Sequence, residues 1–103
     1  MQTNASWTSP RIGFRAGRPP APVDIMGWTL AGTAAGSAGR VGLALGGRLS
    51  VTADSELTIS LTDADCAVLG AGRVDFEVMR LFPGPAPRPL LRFAMTNHPG
   101  LFR

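Results

Sequence analysis

The sequence predicts an all-β fold, a small antiparallel β-sandwich of about seven strands with one short helical turn and an extended N-terminal arm. Two observations carry this prediction. The segment 56–82 contains two runs of period-2 alternation: Leu57, Ile59 and Leu61 against Thr58 and Ser60, then Val74, Phe76 and Val78 against Asp75, Glu77 and Met79. That period belongs to strands with one buried and one wet face. Composition agrees, because 13 Gly and 9 Pro in 103 residues favour turns and short strands over long helices. A chain of this length forms one core and divides here into an arm, residues 1–22, and a β-sandwich domain, residues 23–103.

Residues 1–10 are polar and extended, with Trp7 as their one large anchor. A lone Trp of this kind packs either on its own domain or on a neighbouring subunit. Ile12 and Phe14 flank Gly13 as a short first strand. Pro19, Pro20 and Pro22 then forbid helix and give an extended, partly polyproline connector. A turn at residues 23–25 feeds a strand carrying Trp28, a candidate core residue. Residues 31–39 are small and low in complexity and read as a flexible loop; Gly32, Gly36 and Gly39 argue against helix.

Val41, Leu43 and Leu45 alternate, as do Leu49 and Val51, and Gly46-Gly47 between them predicts a tight hairpin. Residues 56–61 form the next strand. Thr62 begins Thr-Asp-Ala-Asp, an N-cap with acids in the first turn of a helix of about eight residues, ended by Gly70 and Gly72. Residues 73–82 form the strongest strand. Prolines at 83, 85 and 87 break it, and residues 89–96 return as its hairpin partner with Leu91, Phe93 and Met95 on one face. Arg92 lies on the other face, placed to pair with Asp75 or Glu77.

Charge is unevenly distributed. All ten basic residues are Arg, and Arg11, Arg15 and Arg18 fall in residues 1–22 without a single acid. Residues 23–103 hold seven Arg and seven acids, so the net +3 resides in the arm. The arm reads as a solvated tail or as a basic element docking on an acidic surface. Three Arg without clustered aromatics do not make a nucleic-acid footprint. No apolar run is long enough for a transmembrane helix, and the N-terminus lacks a signal-peptide core. One cysteine excludes an internal disulfide framework, which suits synthesis in the cytoplasm.

Catalytic constellations are not apparent, and no enzyme activity, cofactor or metal is expected. His98 precedes a proline in a terminal turn and reads as a surface histidine. Cys66 lies in the apolar part of the helical turn and reads as buried and inert. Asp63 and Asp65 lack the further oxygen ligands of a calcium loop and serve the helix N-terminus better. Asp75 and Glu77 share a strand face with arginines at hand.

Several motifs resemble those of small virion proteins of tailed bacteriophages, prophages and gene transfer agents. Phe14-Arg15-Ala16-Gly17 matches the family's aromatic-Arg-Gly start. Val23-Asp24-Ile25-Met26-Gly27-Trp28 is similar to its valine-aspartate-leucine/isoleucine-threonine-glycine-tryptophan motif, with Met26 in the place of threonine. The strand at 57–61, the Thr62-capped turn and Ala71-Gly72-Arg73-Val74-Asp75-Phe76 follow in the family's order. The likeness covers roughly residues 12–96.

It implies a virion location and an oligomeric base or adaptor that anchors a spike or fibre at a head vertex or tail tip. The implied partners are a capsid or tail protein, a spike or fibre protein and further copies of the chain, with neither nucleic acid nor membrane. Host-surface glycan enters only indirectly. The arm would dock through Trp7, Arg11, Arg15 and Arg18, and the apolar C-terminal tail through Leu101 and Phe102. The alternative is a receptor- or carbohydrate-binding module of the particle.

Overall fold

A computed structural model describes residues 1–3, 5–81 and 88–99. The strand end at Phe82, the breaker at 83–87 and the tail with Leu101 and Phe102 lie outside the described residues. The class is all-β. Among the described residues, nine strands and one helix run in the order β1 (Trp7–Thr8), β2 (Arg15–Ala16), β3 (Ala21–Pro22), β4 (Thr29–Ala35), β5 (Arg40–Ala44), β6 (Leu49–Val51), β7 (Leu57–Leu61), α1 (Asp63–Leu69), β8 (Gly72–Leu81) and β9 (Arg88–Asn97). They form three antiparallel sheets: β1-β7-β6, β2-β3 and β5-β4-β8-β9. Nine strands stand where about seven are predicted because residues 1–22 supply three short ones.

The alternation at 57–61 and 74–78 works as its period requires. Leu57, Ile59 and Leu61 from the three-stranded sheet and Val74, Phe76 and Val78 from the four-stranded sheet are buried in one core cluster. Phe76 is its hub: its ring stacks on Phe93 at 4.7 Å and meets Trp7 at 5.6 Å. Trp28 is half-buried against the cluster, with the Arg80 guanidinium 3.6 Å over its ring.

Two predictions for residues 31–52 are overturned. Residues 31–39 are not a flexible loop. They form most of β4, hydrogen-bonded to β5 on one side and β8 on the other, and the turn into β5. Small residues are required there by close approach rather than by mobility. A Cβ on Gly32 would collide with the Glu77 carbonyl, and one on Gly36 with the Leu69 carbonyl. Nor does Gly46-Gly47 close a two-stranded hairpin. β5 pairs with β4, β6 pairs with β7, and the glycine turn carries the chain from one sheet to the other, with Gly46 at φ 80°. Alternating runs around two glycines specify a reversal but not which sheet receives each strand.

The helix forms as its sequence dictates. Thr62 is the N-cap, its hydroxyl accepts from the Asp65 amide, and the Asp65 carboxylate accepts from the Thr62 amide at 3.0 Å. Asn97, fully buried at the end of β9, donates to the Cys66 and Gly70 carbonyls and so ties the helix C-terminus to the four-stranded sheet.

Candidate functional site

The segment 1–22 is woven into the body, and residues 15–22, expected as an extended polyproline connector, double back as a two-stranded hairpin. β1 pairs with β7, Ser9 N donates to Ile59 O at 2.8 Å, and Ile12 exchanges two backbone hydrogen bonds with Leu57. Met1 O accepts from His98 N, which brings the N-terminal residues beside the end of β9. Trp7 is therefore anchored on its own domain, against Phe76, and acts as a core side chain.

Arg15 and Arg18 are brought together on a different element. β2 and β3 form a two-stranded ribbon whose turn contains Gly17 at φ 91° and a cis Arg18–Pro19 peptide. Every residue from 15 to 22 is exposed, and the ribbon pairs with no other strand among the described residues. Its base is fixed on both sides. One leg descends to Ile12 on Leu57; the other descends through Val23, whose amide donates to Phe14 O at 2.8 Å, to fully buried Ile25. The result is a pinned ribbon with basic side chains in water. Arg11 is exposed between Pro10 and Ile12, below the ribbon. Among the described residues, none of these three arginines makes an ion pair.

An open cleft at the ribbon base is lined by Phe14, Arg15, Asp24, Asp54 and Glu56. Asp24 accepts from the Ser55 hydroxyl at 2.6 Å and from the Met26 amide at 3.0 Å. Those two donors hold its carboxyl below the ordinary 3.8, so it is charged throughout the neutral range. Sequence reading does not single out this acidic lip, because Asp24 and Asp54 are thirty residues apart and meet only once Ser55 bonds both Asp24 and the Ile25 amide.

A second open cleft, between β7, the α1 N-terminus and residues 5–8, is organised by Arg48 and Asp65. Arg48 Nε and Nη2 donate to the two Asp65 oxygens at 2.8 and 2.7 Å, a fork on a carboxylate. The guanidinium, followed by the Thr62 amide, brings the Asp65 pKa down to about 2. With the Thr62 amide also on Asp65 Oδ2, the carboxylate is committed to structure. Threonine three residues ahead of Asp65 discloses the cap; nothing local discloses Arg48.

The remaining candidates take structural roles. Glu77 pairs with Arg92 across strands, as predicted, and Asp75 pairs with Arg73 at 2.9 Å. Cys66 is buried, and burial followed by the Asp65 charge pushes its thiol up, away from a nucleophilic thiolate. No helix among the described residues is long and apolar enough to cross a membrane.

No protein-family model, curated protein or solved structure matches this chain.

Proposed function

We propose that the protein is a non-enzymatic structural component of a phage-like particle or gene transfer agent, an oligomeric base or adaptor that anchors a spike or fibre to a head vertex or tail tip. The observation that carries this reading is the ribbon of β2 and β3. A ribbon that is exposed along its length, pinned at its base and carrying Arg15 at that base and Arg18 in its turn, neither ion-paired among the described residues, suits insertion into an acidic groove of a capsid or tail protein. The motif likeness to small virion proteins supplies the class of assembly. The glycine-tight, interlocked body supplies a rigid mount for a fibre on the side away from the ribbon.

Trp7 leaves the docking set in this reading and serves as the bolt that holds the first strand. Arg15 and Arg18 carry the contact, with Arg11 beside them. Arg15→Glu/Arg18→Glu is expected to fold normally and to be lost from purified particles at least tenfold relative to wild type. Equal incorporation of the double variant would sink the docking role.

A further inference from the structure

Among the described residues, sheet β5-β4-β8-β9 ends at β9, and that edge is uneven in how it is guarded. Its N-terminal end carries Arg88 and Pro89 and sits beside a bulge at Val78/Met79. Its C-terminal end is occupied by residues 1–3, bonded to His98. Charges, prolines and bulges are the usual guards of an open strand. Between these ends, from Arg92 to Thr96, no strand lies on the free side among the described residues. The bonds of His98 to Met1 O and Thr3 N point away from β8, and backbone direction alternates along a strand, so Arg92, Ala94 and Thr96 also turn N–H and C=O to the free edge. On the core face of the same stretch, Leu91, Phe93 and Met95 are only half covered.

We propose that this edge pairs with β9 of a second copy of the chain, antiparallel about a two-fold axis at Phe93. The register follows from the side chains. A two-fold at Arg92 would set two guanidiniums against each other. At Phe93, Arg92 lies opposite the second copy's Ala94, whose neighbour on β8 is Asp75. Each Arg92 then stands between its own Glu77 and the second copy's Asp75, with only a methyl group intervening, so the charges of the two faces complement one another. On the opposite face Phe93 meets Phe93 and Leu91 meets Met95, which covers the half-exposed apolar row and extends the Phe76–Phe93 stack across the seam. The contact is isologous and closes at two copies.

This names a self-contact within the oligomer proposed above and rests on that reading, yet purified protein tests it without particles. Ala94→Pro removes an N–H from the free edge while leaving the β8–β9 ladder intact. Light scattering at high micromolar concentration should give twice the 10.8 kDa chain mass for wild type and the single mass for Ala94→Pro with unchanged circular dichroism. Should that variant unfold, hydrogen exchange on wild type decides: the Arg92 and Ala94 amides, which bond each other's carbonyls across the seam, must gain protection as concentration rises. A wild-type monomer, a folded Ala94→Pro dimer, or edge amides that exchange freely at every concentration would overturn the seam. A monomer that still joins particles would overturn the seam alone; a dimer absent from particles would overturn the adaptor role alone.

Discussion

At Asp65 a single carboxylate accepts from the Thr62 amide and from two nitrogens of Arg48, so the helix cap and the link from α1 to the β5–β6 turn fail together if it is lost. Asp65→Ala is expected to cost about 1–3 kcal/mol, measured by urea denaturation, the sum of a cap and a charge-assisted pair. The pH sign follows from the lowered pKa. A carboxyl held at about 2, against an ordinary 3.8, contributes stability that is complete above the ordinary value and is lost as pH falls toward 2. Asp65→Asn should therefore flatten the acid limb of the stability curve; an unchanged limb would contradict the assignment. The cap was legible in Thr-Asp-Ala-Asp, whereas Arg48 lies 17 residues away and no local pattern reports a partner brought in by a turn between sheets.

β4 is the element whose sequence most misleads. Ala and Gly without apolar period look like linker, yet the strand is central, and Gly32 within it and Gly36 just past its end exist because the Glu77 and Leu69 carbonyls pass where a Cβ would sit. Gly36→Ala is expected to destabilise by roughly 1–3 kcal/mol through overpacking against backbone. Gly42→Ala, with nothing within 4 Å of its Cβ, should shift stability by no more than about 0.5 kcal/mol. Equal effects in thermal denaturation would show that close approach is not the reason for the glycines. The long strand β8 was legible because a deep core imposes a clean period on it, and β9 because its half-covered apolar row packs against that core. The partner of each half of the 40–52 region was not, since turn chemistry is local and sheet membership depends on burial elsewhere.

Across the whole molecule, the first 22 residues do two jobs that composition alone merges into one arm. Trp7, Ser9 and Ile12 stitch the three-stranded sheet, while residues 15–22 leave the body as an exposed ribbon. Trp7→Ala should lower stability by about 2 kcal/mol through lost apolar burial, whereas Arg15→Glu/Arg18→Glu should leave the unfolding midpoint within experimental error. Deleting residues 1–18 would consequently damage the fold itself, so charge reversal on the ribbon is the cleaner probe of docking.

The adaptor role is tested most directly by immunogold electron microscopy, with an antibody to this protein, on particles released by the cells that encode it. The account predicts label at one defined place, a head vertex or the tail tip. Particles that carry a verified tail-protein label and none for this chain would contradict it.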